Sequence, residues 1–232
     1  ITPTEFNMMD IPIMKYLTLL LFSPATYSSP FLYSSFTETP SANAMSGIYS
    51  AIMAFLSFNK SELVNLEYSL KREIIGSNKT GAYCNTSVVD CNTRRYHGLL
   101  AVPVDAFGGE KHILLSGLDE SIVVNHRQFN LGIHCYGDIY EPRGHKYIVD
   151  FTAAPVPTLT YKIGETTLRK SVILAPDSDQ VMIKYEIVSS PASCELILKP
   201  FLAFRCIHKL TRENPEARTG YRELENGVSF NM

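Results

Sequence analysis

Gln180-Val181-Met182-Ile183-Lys184-Tyr185-Glu186-Ile187-Val188 alternates with a period of two. In an extended chain Val181, Ile183, Tyr185 and Ile187 point one way and Met182, Lys184, Glu186 and Val188 the other, so one face is buried and one is wet. Working outward, residues 167–174 and 158–163 read as two more strands joined through Gly164-Glu165, and 146–151 as another. On the other side, 194–204 is a longer apolar strand in which Leu196, Leu198 and Phe201 alternate before Pro200 disturbs the register. Residues 121–124 and 127–131 are separated by Asn125-His126, a two-residue hairpin turn, since asparagine tolerates a positive φ. Phe107-Gly108-Gly109-Glu110 turns the chain between strands at 95–104 and 112–118, with Pro103 marking an edge or a strand end. Residues 81–89 carry Tyr83, Thr86, Val88 and Val89, which suit a strand. The mixed stretch 62–75 reads as a short helix or an entry strand, with strand favoured after Leu66. Short strands at regular intervals, few convincing helices and no internal repeat predict a mainly all-β fold, a large antiparallel sandwich.

The 232 residues, 45% of them hydrophobic, suffice to bury a substantial core. A formal net charge of −2 gives no long-range attraction for nucleic acid or an anionic membrane. Five cysteines, Cys84, Cys91, Cys135, Cys194 and Cys206, are odd in number and lack Cys-x-x-Cys spacing. Neither a disulfide framework nor a zinc site is indicated, and buried or idle thiols in a reducing compartment are expected. Residues 1–52 differ from the rest in holding only four charged side chains, Glu5, Asp10, Lys15 and Glu38. Over 14–27, a lone lysine, a short apolar run and then small and proline-rich residues imitate a secretory signal. The run falls short of the ~20 apolar residues that span a bilayer. Residues 23–43 are rich in Ser, Pro and Thr with no hydrophobic period. Residues 1–52 are therefore expected to be a disordered or non-native extension read from upstream sequence, and 53–232 the domain proper. Residues 209–225 are charged and read as helix or loop, while 226–230 open a further strand, so the sandwich is expected to be incomplete at its carboxyl end.

The densest polar chemistry lies in Asn92-Thr93-Arg94-Arg95-Tyr96-His97-Gly98-Leu99-Leu100. With a strand beginning at Arg95, Arg95 and His97 project from one face, Gly98 leaves a gap for another backbone or a sugar ring, and Arg94 sits at the lip of an Asn92-Thr93 turn. Such a set can hydrogen-bond vicinal hydroxyls, stack on a pyranose or clamp a carboxylate from a second domain. Equally, the arginines can form an internal salt-bridge hub that pins the turn. There is no glycine-rich phosphate loop opening a helix, no Gly-x-Ser-x-Gly and no His-Glu-x-x-His. The six histidines, His97, His112, His126, His134, His145 and His208, never stand four apart. Asp119 and Glu120 are adjacent, but hydrolysis of a glycosidic bond needs two carboxyl groups facing each other across it, and strand neighbours point to opposite faces. They read as a solvated strand end.

Val89-Asp90-Cys91-Asn92-Thr93-Arg94-Arg95-Tyr96-His97-Gly98-Leu99-Leu100-Ala101-Val102 resembles a signature of the amino-terminal domain of bacterial and archaeal glycogen debranching enzymes of the amylo-α-1,6-glucosidase type. Three further blocks resemble that family in the same order: Glu73-Ile74-Ile75-Gly76-Ser77-Asn78-Lys79-Thr80-Gly81-Ala82-Tyr83, His112-Ile113-Leu114-Leu115-Ser116-Gly117-Leu118-Asp119-Glu120 and Pro200-Phe201-Leu202-Ala203-Phe204-Arg205. The resemblance covers about 53–232. It implies an antiparallel β-supersandwich that precedes, in the complete enzyme, an (α/α)6 barrel hydrolysing α-1,6-linked glucose at branch points of glycogen and related α-glucans. Its catalytic carboxylates would lie in that barrel, so no catalytic residue, cofactor or metal is expected here. The expected partners are the α-glucan (glycogen or limit dextrin) and the carboxyl-terminal catalytic domain of the same polypeptide, contacted through Asn92, Arg94, Arg95, Tyr96, His97, Asp119 and Glu120. Neither nucleic acid nor a membrane is an expected partner, and the location is expected to be cytoplasmic. Two other readings stand beside this one: a stand-alone glycan-binding or structural sandwich, and the amino-terminal domain of a related disaccharide phosphorylase.

Overall fold

A computed structural model describes residues 16–22, 56–212, 220–225 and 227–230, the first of these through its backbone alone. Two antiparallel sheets enclose one core. The first contains β1 (Tyr16–Phe22), β2 (Ser57–Asn59), β10 (Ile148–Thr152), β11 (Thr158–Ile163), β12 (Thr166–Leu174) and β13 (Gln180–Ser189), in the order β1-β13-β12-β11-β10-β2. The second contains β3 (Glu73–Ser77), β4 (Tyr83–Ser87), β5 (Gly98–Val104), β6 (Glu110–Val124) and β14 (Cys194–Cys206), in the order β14-β6-β5-β4-β3, with β7 (Arg127–Asn130) pairing to β6. Two small hairpins, β8 with β9 (His134–Tyr136, Ile139–Glu141) and β15 with β16 (Tyr221–Leu224, Gly227–Phe230), stand apart.

The period of two places the core as expected. In β13, Val181, Ile183 and Tyr185 are buried and Lys184 and Val188 exposed, and Leu159, Tyr161 and Ile163 of β11 lie beside them. Opposite, Leu99, Leu100, Val102, Leu115 and Ile122 complete one apolar cluster. Turn chemistry also follows the residue types. Asn125 and His126 both take positive φ, 51° and 61°, which lets a two-residue turn match the twist of β6 and β7. Gly108 and Gly109 adopt 67° and 82° ahead of β6, and Pro103 sits one residue from the end of β5, where a missing N–H is tolerated.

Five expectations are corrected. The strand expected from Arg95 begins at Gly98, because Arg94–Tyr96 form a turn closed by the His97 amide donating to the Arg94 carbonyl at 3.0 Å. From Leu66 to Ser69 the chain is helical and the expected strand starts only at Glu73: α1 (Lys60–Val64) and α2 (Leu66–Ser69) form because Asn59 and Asn65 cap them, Asn59 and Glu62 making a reciprocal capping box. Tyr147 ends a 3-10 turn (Gly144–Tyr147), so β10 starts at Ile148. Tyr221–Leu224 is a strand, paired with Gly227–Phe230, where helix or loop was expected. Within the extension expected to be disordered, Tyr16–Phe22 pairs with β13, from Tyr16↔Glu186 to Phe22↔Gln180, a charge-free apolar run meeting the backbone groups of a sheet edge. The expected Ser/Pro/Thr-rich segment 23–43 lies outside the described residues.

A charge cluster ties the sheets together. Lys170 of β12 is 2% exposed and donates to Asp90, in the turn after β4, and to Glu120 of β6; Tyr185 of β13 donates to the same Glu120 oxygen at 2.6 Å. Burial alone would lower the Lys170 pKa, but the two carboxylates hold it well above the usual lysine value. The lysine is therefore a cation. A second tie joins the β3–β4 loop to the β12–β13 loop: the Asn78 amide donates to the carbonyls of Ala175 and Ser178 at 2.8 and 2.9 Å. Removing one member of a buried ion cluster leaves uncompensated charge, so Lys170→Met is expected to destabilise the chain by about 3–5 kcal/mol in urea unfolding. The triple change Lys170→Met, Asp90→Asn, Glu120→Gln is expected to recover a large part of that loss.

Candidate functional site

The polar stretch divides into an inward half and an outward half. His97 is inward: its side chain is sealed, its Nδ1 accepts the Thr93 N–H at 3.1 Å, and the ring proton therefore sits on Nε2. That nitrogen stands 3.3 Å from Glu73 Oε1, within ion-pair distance though outside good hydrogen-bond geometry. Burial lowers the His97 pKa, against the pull of Glu73 and with the push of Arg94, so the ring is neutral. Arg94 Nε reaches the same Glu73 oxygen at 2.8 Å, which makes Arg94 a clamp on β3. Gly98 leaves no gap. A Cβ there would meet Ile113 Cγ2 at 2.8 Å, so Ile113 fills the space that an approaching ring would need.

Arg95 and Tyr96 face outward, and the end of β14 fixes their backbone. Arg205 Nη2 donates to the Arg95 carbonyl at 2.6 Å and the Tyr83 hydroxyl to the Tyr96 carbonyl at 3.0 Å. In return Arg95 Nη1 donates to the His208 carbonyl at 3.1 Å, while the Tyr96 ring, 40% exposed, stands edge-on to the His208 ring at 5.8 Å. Close by, half-exposed Phe107 stacks on His112 at 4.8 Å, and Phe204, held at a φ of 41°, leans on both.

Asn92, Asp119 and Glu120 belong to another place, a cleft of about 150 Å³ along β6. The Asn92 amide donates to the Ser116 carbonyl at 2.6 Å, which fixes the turn at the lip. Asp119 and Glu120 are not a solvated strand end: they sit well inside the fifteen-residue β6 and point to opposite sides. Glu120 is 3% exposed and engaged by Lys170 and Tyr185; burial pushes its carboxyl up and Lys170 opposes this. Asp119 pairs with His134 of β8, Oδ1 to Nε2 at 2.6 Å. That hydrogen bond raises the His134 pKa against burial, and the nearby Asp119, Asp90 and Glu120 charges add to it. His134, Asp90, Gly132, Tyr161 and Phe201 line the same cleft and were not singled out from the sequence. One signal was present for the charge cluster. Lys170 shares strand parity with Leu168 and Val172, and Glu120 with Leu118 and Ile122, so each is a charge written into an apolar row.

The family described as glycogen debranching enzyme N terminal matches residues 72–232. The chain belongs to that family. No curated protein and no solved structure matches it. In this debranching-enzyme domain both the Arg95–Tyr96 turn and the cleft fall within the matched span. Among the described residues no three His, Cys, Asp or Glu side chains stand together as metal ligands, and no helix is long and apolar enough to cross a membrane. Burial pushes the Cys84 and Cys91 thiols up to about 12, which keeps them protonated.

The two histidines respond to pH in opposite senses. His134 gains its partner in the folded state, so its contribution is fully present below the unfolded histidine value of about 6.5 and is lost as pH rises through its raised folded value. His97 is held neutral, so stability is lost as pH falls below about 6.5 toward its lowered folded value. NMR titration of the imidazole C–H signals is expected to place His134 above and His97 below that value, and Asp119→Asn to bring His134 down.

Proposed function

We propose that this chain is the amino-terminal, non-catalytic part of a cytoplasmic glycogen debranching enzyme that hydrolyses α-1,6-glucosidic branch linkages in glycogen and related α-glucans. The family match over 72–232 carries this reading. Its partner in the reaction is a carboxyl-terminal (α/α)6 catalytic domain of the same polypeptide, which supplies the general acid and base that such hydrolysis requires. The geometry supports the division of labour. Asp119 and Glu120 point to opposite sides of β6 and are engaged by His134 and by Lys170, respectively, so they are not arranged as a hydrolytic pair.

The outward half of the polar turn is the contact surface in this reading. Arg95 and Tyr96 extend from a backbone fixed by Arg205 and Tyr83, so little conformational entropy is lost when they engage the glucan or the catalytic domain. His97 and Arg94 act behind them, as the anchor of the turn on Glu73.

The full-length polypeptide is expected to release glucose from a phosphorylase limit dextrin without added phosphate. Release of a sugar phosphate that depends on phosphate would favour the phosphorylase reading, and no release at all would favour the stand-alone module. Arg95→Ala in that polypeptide is expected to lower kcat/KM on limit dextrin about tenfold, a loss of ~1.4 kcal/mol in transition-state stabilisation. Its unfolding midpoint should hardly move, because exposed contacts of this kind contribute about 1 kcal/mol or less. Activity and stability both unchanged would leave Arg95 without a role, and lost stability alone would assign it to pinning the turn.

A further inference from the structure

The cleft along β6 differs chemically from the arginine turn. Its volume is about 150 Å³, the size of an engineered apolar cavity that holds benzene, but its lining is partly polar. The polar lining is Asp119, His134 and Asn92, with Asp90 and Glu120 behind them, and neither lysine nor arginine lines it. Such a lining repels phosphate, sulfate and carboxylate ligands. A bound cation is also poorly served, since among the described residues no three acids, cysteines or histidines are placed together as metal ligands. A neutral ligand rich in hydroxyl groups fits.

The Asp119–His134 pair is built for that ligand. The imidazole uses Nε2 on Asp119 Oδ1, at 2.6 Å; among the described residues neither His134 Nδ1 nor Asp119 Oδ2 makes a hydrogen bond. The two side chains remain 28% and 29% exposed, so both free atoms belong to groups that solvent reaches. With Nε2–H given to Asp119, the neutral ring presents Nδ1 as an acceptor beside the free Asp119 oxygen, and two adjacent hydroxyls can each donate to one of them. Phe201 supplies the apolar wall. Its ring stands edge-on to His134 at 5.3 Å and its strand partner across the ladder is Gly117, which has no side chain to cover it. Carbon-bound hydrogens against the aromatic ring and hydroxyls against the polar pair are the division of contacts that a pyranose asks for.

The pair is also preset. A Cβ at position 132 would fall 2.2 Å from Asp119 Oδ1, so only glycine lets the acid reach His134 past the β7–β8 connection. Gly144 repeats the device one layer out, where a Cβ would lie 2.0 Å from the Leu131 carbonyl oxygen. Two close approaches thus hold the segment carrying His134 against β6.

We propose that the cleft framed by Asp119, His134 and Phe201 binds one ring of a neutral saccharide. The inference rests on the debranching reading only for the identity of the sugar, an α-linked glucose unit. Hydrogen–deuterium exchange on the full-length polypeptide, with maltotriose or inorganic phosphate added, tests it. Maltotriose is expected to protect segments 116–120 and 131–136 saturably. Asp119→Asn and Phe201→Ala are each expected to raise the concentration needed at least tenfold, and phosphate to protect neither segment. Unfolding midpoints taken alongside separate loss of the site from loss of the fold; should Phe201→Ala fail to fold, His134→Gln takes its place. Absence of protection there, protection undiminished in both variants, or protection by phosphate would overturn the proposal. Glucose release from limit dextrin is read independently. Release without cleft protection overturns this inference alone, whereas cleft protection without release overturns the debranching reading and leaves the saccharide site.

Discussion

Lys170 stands where a sandwich ordinarily places a leucine or valine, between two sheets, and the cluster it forms with Asp90, Glu120 and Tyr185 draws on both of them. Asp90 and Glu120 belong to the second sheet and its turn, Lys170 and Tyr185 to the first. Apolar contacts between sheets depend on area and scarcely on direction, so they tolerate sliding. A buried ammonium between two carboxylates does not, because a displaced member becomes an unsolvated charge. The cluster therefore sets the offset of the sheets, and that offset fixes the floor of the cleft, since Asp90 and Glu120 line it from below. The Asn78 amide, bound to the carbonyls of Ala175 and Ser178, repeats the constraint between the loops.

Much of the fold could be read from residue order because its determinants are local. Alternation in β13, paired positive φ at Asn125-His126 and the glycines at 108 and 109 are written within a few residues of where they act. The corrections arose where a side chain or a distant edge decides. Asn59 and Asn65 impose helix on a stretch of ambiguous pattern, since capping satisfies amides that the pattern does not describe. The start of β5 was misplaced by three residues because the Arg94–Tyr96 turn is held by Glu73, Tyr83 and Arg205, which lie in other strands.

The same distinction explains the site. Density of polar residues drew attention to 92–97, and there the structure separates an outward pair, Arg95 and Tyr96, from a histidine and an arginine that serve the architecture. The cleft residues are scattered over Asp90, Asp119, His134 and Phe201, brought together by the β14-β6 ladder, the β7–β8 connection and, for Asp90, its ion pair with Lys170. Reading strand parity for charges in apolar rows would have found Glu120 and Lys170. Nothing local in the sequence marks Asp119 and His134 as neighbours.

The strand order also has a temporal side. In the second sheet β3, β4, β5 and β6 follow one another in sequence, and in the first β10 to β13 do the same, so each meander can zip up as it leaves the ribosome. The outer strands of the first sheet cannot. Ser57–Asn59 pairs with residues of β10 that lie about ninety positions later, and Tyr16–Phe22 with residues of β13 at least 158 positions later. At synthesis rates of roughly 5–20 residues per second, the first of these waits about 5–20 s and the second about 10–30 s for a partner. During that interval an apolar run of seven residues is left without its sheet. The early part of this chain is thus the part whose fate is decided last, by the emergence of the very alternating segment that it joins.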